Sequence, residues 1–193
     1  MSENKLLELP VLVIREALIF PENTLPVSAG RSISVKAIQE SRNNFESLIF
    51  VTNQISPSVD TITVEDIFDY GTLCRLTSYR EKGKSISINV KAKSRVRFIS
   101  IVLRDGCFYA TGEILENEII DPEIENKYYL EARGLAFSVS SLKDVVEKFE
   151  SNQRGKNDFY RLAYTIFQAV PSTPDFLRSD ESFDRRRSFS NGQ

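Results

Sequence analysis

The sequence predicts an α+β protein in which a β-rich domain with one short helix is followed by a small α-helical subdomain. Three observations predict this. Short apolar runs bounded by proline or polar residues fill the first half of the chain, as buried strands do. Apolar and polar residues alternate over 85–90, which is the period of a half-buried strand. Beyond residue 125 the apolar residues recur at helical spacing. The predicted boundaries are 1–120 for the β domain, 121–178 for the helical subdomain and 179–193 for a flexible tail.

The first elements read as strand, loop, strand, loop and helix. Residues 9–14 are apolar and open with Leu9-Pro10, which suits a buried strand with proline at its start. Residues 17–20 form a second apolar run that stops at Pro21, whose ring removes a hydrogen-bond donor. We therefore predict a strand at 17–20, then a loop that contains Leu25 and Pro26, then a short helix with Ser32 as its N-cap.

The middle of the chain predicts a β-meander. Residues 47–51 read as a buried strand, 52–63 as a loop, and 65–76 as an acidic helical turn that enters a strand through Gly71. Hairpin turns are predicted at 81–84 and at Asp105-Gly106, because Asp-Gly readily supplies two positive φ values. The stretch 98–103 is too apolar for simple alternation, which predicts a bulge or a change of partner sheet.

Helices are predicted after an acidic joint at 116–125. Apolar residues at helical spacing fall into two groups separated by a possible break at 138–141, and a third amphipathic helix over 159–167 ends near Pro171. The first two groups are Tyr129, Ala132, Ala136 and Phe137, then Leu142, Val145, Val146 and Phe149.

Composition removes several classes of function. The net charge of −2 excludes a wholesale polycation or polyanion, and no apolar run approaches the roughly 20 residues that span a bilayer. The chain has no histidine, the commonest general base and zinc ligand, and no phosphate-binding GxxxxGK[ST] loop. We therefore predict no catalytic residues, no metal and no cofactor. Cys74 and Cys107 lie in apolar strand contexts, which predicts buried thiols in a reducing, cytoplasmic protein.

The segment 9–37 resembles the start of the Lon protease N-terminal domain, whose consensus sequence is close to LPVLPLRDVVVFPxxxxPLxVGRxxSIxA. A second segment, 65–76, resembles that family's DDLYEVGTVARI. A third, INVKAKSRVRFI, resembles VxVxGxxRxxI, with Ala92 at the glycine position, so a tight bulge is not expected there. Val13 departs from the family's proline. The residues of the first segment that match in register are Leu9, Pro10, Val11, Leu12, Arg15, Phe20, Pro21, Pro26, Gly30, Arg31, Ser34 and Ala37.

The resemblance implies a PUA-like, partly closed barrel that recognises unfolded or degron-bearing protein and supports oligomer assembly. It implies no catalysis by this chain, because the ATPase and Ser-Lys protease modules of Lon, an ATP-dependent serine endopeptidase, lie outside these 193 residues. The parent would be a hexamer, and this chain alone a monomer or dimer.

Leu25, Pro26 and Tyr79 are the predicted substrate-binding residues, because an apolar residue in a loop or beside a turn is less often core than one in a strand. The alternative is a stand-alone PUA-like module that binds RNA or a small ligand through basic strands over 75–104, although outward cations that pair with acidic neighbours are the simpler interpretation. The cations of that stretch, against the single acid Glu81, are Arg75, Arg80, Lys82, Lys84, Lys91, Lys93, Arg95, Arg97 and Arg104.

Overall fold

The computed structural model describes residues 6–15, 17–116, 121–152 and 158–170. Within them the chain forms six strands, four α-helices and one short 3-10 turn, Val64–Asp66. The strands are β1 (Leu6–Ile14), β2 (Thr24–Ala29), β3 (Leu48–Gln54), β4 (Ile67–Lys82), β5 (Ser85–Arg104) and β6 (Cys107–Leu115). The helices are α1 (Ser32–Asn44), α2 (Pro122–Ser138), α3 (Ser140–Asn152) and α4 (Phe159–Ala169).

The six strands form one sheet that curls into a partly closed ring. Their order is β2-β5-β4-β3-β1-β6, and β6 also pairs with β5, so five strands follow one another around the ring. Only the β1–β3 pair is parallel among these pairings. The 20-residue β5 makes this possible, because one of its edges pairs first with β2 over 86–91 and then with β6 over 95–104. The predicted α+β class and partly closed β-domain are confirmed.

Two apolar cores lie on the two faces of this sheet. All five ring strands contribute to the inner core, where the rings of Phe50 and Phe98 lie 5.4 Å apart. Gly112 makes room for Phe50, because a Cβ at Gly112 would lie 2.5 Å from Val96 Cγ2 and 3.1 Å from Phe50 Cζ. The outer core is covered by α1, whose Ala37 and Ile38 are fully buried. The strands β1 and β3 are therefore buried on both faces, as their near-continuous apolar sequences require, whereas much of β4 and β5 has one exposed face.

The predicted strand at 17–20 is wrong, and so is the predicted loop at Leu25 and Pro26. Residues 17–20 are irregular, and side chains satisfy their backbone: Asn53 Nδ2 donates to the Ala17 carbonyl at 2.9 Å and Thr72 Oγ1 to the Ile19 carbonyl at 2.7 Å. The second strand is β2 instead. Pro26 is tolerated there because β2 is the last strand of the sheet, where a missing N–H costs no ladder bond.

Of the other local predictions, those for the length and N-cap of α1 and for Ala92 are wrong, and those for 98–103 and for Asp105-Gly106 are confirmed. The helix α1 has 13 residues rather than being short, and its N-cap is Arg31, not Ser32, without a side-chain cap. A bulge does form near Ala92 without glycine, because Leu73 pairs with Ser94 while Cys74 pairs with Ala92. The irregularity predicted within 98–103 is confirmed by the register shift between Phe98 and Ser100. The hairpin turn at Asp105-Gly106 is confirmed by φ values of 53° and 82°.

The three C-terminal helices are confirmed near their predicted positions. Asp121 and Asp158 cap α2 and α4 by accepting hydrogen bonds from backbone N–H groups in the first turn. The helices share a small core of Tyr129, Ala136, Leu142, Val146 and Leu162. The predicted end of this subdomain at 178 and the tail 179–193 lie outside the described residues. None of the described helices is long and apolar enough to cross a membrane.

The helices meet the β-rich part at Phe20. Its ring stacks on Tyr164 of α4 with centroids 5.6 Å apart and contacts Phe167 at 5.9 Å. Such aromatic pairs stabilise a contact by about 0.5–1.5 kcal/mol beyond the area they bury. Phe20 therefore connects the irregular segment before β2 with α4.

Candidate functional site

A cleft of about 510 Å³ lies beside β2. Its walls come from β2, from the end of β1 with the residues that follow it, and from the start of α1. Most of the lining is apolar or backbone, as in sites that hold an apolar ligand. The lining residues are Leu12, Val13, Ile14, Arg15, Ala17, Leu25, Pro26, Val27, Ser28, Ala29, Gly30, Arg31 and Ser34.

The wall formed by β2 is an open strand edge. The strand pairs with β5 from Thr24 to Ala29, and no strand in the described part of the chain pairs with its other edge. Unpaired backbone N–H and C=O groups on such an edge can add an extended peptide as a further strand. Pro26 interrupts the row of donors, which also limits unwanted pairing with other sheets.

Arg31 forms the polar end of the cleft. Its Nη2 donates to the Val13 carbonyl at 2.7 Å, and its Nη1 donates to Gln54 Oε1 at 3.0 Å. Gln54 is 1% exposed and donates through Nε2 to the carbonyls of Ser56 and Val59, at 2.7 and 2.5 Å. Partial burial, then the neighbouring Arg15, lower the pKa of the Arg31 guanidinium from its ordinary value, although it stays charged near neutrality. These hydrogen bonds connect Arg31, in the wall of the cleft, to the loop after β3.

Arg15 brings a second guanidinium to the cleft. Its Nη2 lies 2.6 Å from Asp60 Oδ1, and the two side chains are 40% and 89% exposed. Asp60 itself does not line the cleft. The described lining therefore combines apolar side chains with two cations and no carboxylate.

The structure brings together two of the three predicted binding residues. Leu25 is half-buried and Pro26 is exposed, and both line the cleft. Tyr79 lies apart from it: its ring is covered by the Arg42 guanidinium, 3.6 Å from the centroid, and its hydroxyl bonds the Glu81 carboxylate. Sequence reasoning missed Arg31 and Gln54. Only the resemblance over 9–37 pointed to Arg31, and nothing in the sequence joined it to Gln54.

The basic stretch 75–104 is partly neutralised in the fold. Arg97 pairs with Glu113 at 2.7 Å, and Arg104 pairs with Glu8 at 2.8 Å. Arg75 donates to a backbone carbonyl, that of Glu46, at 2.8 Å. These contacts agree with the simpler interpretation, in which outward cations of alternating strands find neighbouring acceptors.

Cys74 and Cys107 are free and buried, as predicted. Burial raises the pKa of both thiols, so neither is a ready nucleophile or ligand near neutral pH. Within the described ranges, no cluster of three or more carboxylate or cysteine side chains could hold a metal ion.

A family model described as the ATP-dependent protease La (LON) substrate-binding domain matches residues 8–177. Lon protease 1 of Thermus thermophilus is 32% identical over 171 residues, which is 88% of this chain and 20% of that protein. Lon protease of Clostridioides difficile is 34% identical over 121 residues, 61% of this chain and 15% of that protein. The chain thus spans about a fifth or less of the length of these relatives.

Among solved structures, the N-terminal domain of a Mycobacterium avium complex Lon protease superposes with a TM-score of 0.67. That match covers 89% of this chain and 88% of the other at 18% identity, which shows a shared fold. The family match covers most of the sequence, and the sheet, α1 and the C-terminal helices described above are the elements that it spans. The chain therefore belongs to the family of LON substrate-binding domains, the N-terminal domains of Lon proteases.

Proposed function

We propose that this chain recruits protein substrates for an ATP-dependent protease by binding extended apolar segments of unfolded or degron-bearing polypeptide. The observation that carries the proposal is the cleft beside the open edge of β2, in a chain that belongs to a substrate-binding family. Backbone groups of β2 would hold the segment without regard to its sequence, and the apolar lining would select segments that a folded protein buries.

Binding by one such cleft is expected to be weak, because the cleft is small and open. Repetition of the site around an oligomer raises the effective concentration and thereby the overall affinity. We propose that the parent protease is a hexamer in the cytoplasm, whereas this chain alone is a monomer or dimer. The chain neither cuts peptides nor turns over nucleotide by itself, and turnover by the purified chain would contradict the proposal.

The direct test is binding of a fluorescently labelled, permanently unfolded model protein, followed by anisotropy. Replacing Leu25 and Pro26 together by alanine should weaken binding by about tenfold, which corresponds to about 1.4 kcal/mol and a partial loss of apolar contact. Tyr79→Ala tests whether the third predicted residue also takes part. Leu130→Ala is the matched control, since Leu130 is an apolar side chain 54% exposed on α2 and does not line the cleft.

An equal effect of the cleft and control variants would discard the site. Labelled RNA titrated over a salt series in the same assay tests the alternative function through strands 75–104, because phosphate contacts weaken steeply with salt. Binding of RNA without binding of unfolded protein would contradict the proposed function.

A further inference from the structure

The described lining of the cleft combines apolar side chains with two cations. Arg15 and Arg31 both line it, and the described lining residues include no Asp or Glu. The two guanidiniums affect each other, because Arg15 is one of the causes that lower the pKa of Arg31. A ligand that was purely apolar would leave two cations partly desolvated and without a new partner, which costs free energy.

The two arginines have donors to offer a ligand. A guanidinium has five N–H groups, and the hydrogen bonds described for Arg31 use two of them. Arg15 pairs with Asp60, but both side chains are well exposed to solvent. Exposed ion pairs of this kind contribute about 0–1 kcal/mol, so Arg15 can exchange Asp60 for another carboxylate at little cost.

We infer that the cleft binds extended polypeptide that carries a carboxylate beside its apolar residues, and that Arg15 exchanges Asp60 for this carboxylate. The inference rests on the proposed function and specifies its substrate class. The carboxylate has two sources in a protein, the free C-terminus and the side chain of Asp or Glu. A nucleic acid fits the cleft less well, because most of the lining is apolar and the strand edge offers backbone partners to a peptide.

The first experiment compares short fluorescein-labelled peptides of leucine, valine and serine, measured by anisotropy with the full 193-residue chain. One pair differs only in a free or an amidated C-terminus. A second pair, both amidated, differs only in one internal Glu or Gln. The form with a carboxylate should bind about two- to fivefold more tightly in at least one pair, which is the range for one exposed ion pair. The pair that responds identifies the source.

The second experiment changes the protein at exposed positions that leave the Arg31 bridge intact. Arg15→Gln should remove the preference for the carboxylate form, and Arg15→Lys should keep part of it. Asp60→Asn should strengthen binding of the carboxylate form about twofold, because it removes the competing carboxylate. The control is Arg80→Gln, which makes the same change of charge at an exposed position of β4 outside the cleft.

The outcomes separate the two proposals. If charged and uncharged peptides bind equally well, the inference is overturned while the proposed function stands. If no peptide and no unfolded protein binds, the proposed function fails. Unchanged binding of the carboxylate form by the Asp60→Asn variant would overturn Asp60 as the exchanged partner. Displacement of the peptide by an equimolar oligouridine RNA would overturn the preference for polypeptide.

Discussion

The β-rich part and the helical part of this chain differ in how much apolar surface each buries. Among the described residues, the sheet and α1 share cores of sixteen and eleven buried side chains, whereas α2, α3 and α4 share five. The helices also leave Leu130 and Leu135 54% and 71% exposed. The β-rich part therefore has the core of a domain that folds alone, and the helical part is expected to be marginal without its neighbours.

The largest predicted effect comes from truncating one fully buried side chain in each part. Phe50→Ala should lower the free energy of unfolding by about 3–5 kcal/mol, because it leaves a cavity in the inner core. Leu162→Ala should lower the free energy of unfolding of the helical part by about 2–5 kcal/mol and leave that of the β-rich part unchanged. Urea unfolding followed by tyrosine fluorescence and by far-UV circular dichroism measures both. One shared transition for both variants would remove the distinction between the two parts.

A pair of identical substitutions should have opposite signs in the two parts. At Gly71 of β4 a Cβ would lie 2.7 Å from the Val51 carbonyl oxygen, so Gly71→Ala should destabilise by about 1–3 kcal/mol. At Gly134 of α2 a Cβ meets nothing within 4 Å, so Gly134→Ala should stabilise by about 0.5–1 kcal/mol through helix propensity. Thermal melts compare them, and a destabilising Gly134→Ala would show that this helix face is covered.

The contact between the two parts is tested at Phe20. Phe20→Ala should lower the free energy of unfolding by at least about 0.5–1.5 kcal/mol, because it removes the contact of its ring with Tyr164 and Phe167 as well as the area that the ring buries. The loss should appear as earlier unfolding of the helices with the β-rich transition unchanged. Phe20→Leu is the control that keeps apolar volume. If both variants melt like the unchanged chain, Phe20 does not join the two parts.

The smallest effect is a dependence on pH confined to the helices. The hydrogen bond from Arg133 Nε to Glu150 at 2.5 Å lowers the pKa of Glu150 from its ordinary value of 4.5. Because this pKa is lower in the folded state, the ion pair stabilises the helices above about pH 4.5 and loses its effect as the pH falls through the folded-state pKa. Helix melts at falling pH should therefore show a steeper loss for the unchanged chain than for Glu150→Gln. Parallel losses would contradict this.

Much of the fold was predictable because residues close together in the sequence determine it. The Asp105-Gly106 turn and the spacing of the three C-terminal helices depend on near neighbours and are confirmed. The strand β2 was not predictable in the same way. Its sequence reads as a loop because of Pro26, and what makes it a strand is β5, which lies about sixty residues later. The bulge beside Ala92 likewise follows from its partner in β4 rather than from glycine.

The candidate site was predictable only in part for the same reason. Leu25 and Pro26 are predicted binding residues because they are apolar residues in a predicted loop, and both line the cleft. The hydrogen bonds that join Arg31 to Gln54 connect residues from α1's N-cap and the end of β3, which no spacing rule relates. Positions that acquire their role through tertiary contact carry no local signal of it.

The pairing of β1 with β6 has a consequence for synthesis on the ribosome. Leu6 pairs with Glu113, so one edge of β1 stays unpaired until β6 is translated, about a hundred residues later. At elongation rates of about 5–20 residues per second this takes roughly 5–20 s. During that interval an apolar nascent segment has an unpaired edge. Chaperones that bind exposed apolar segments are therefore expected to bind it.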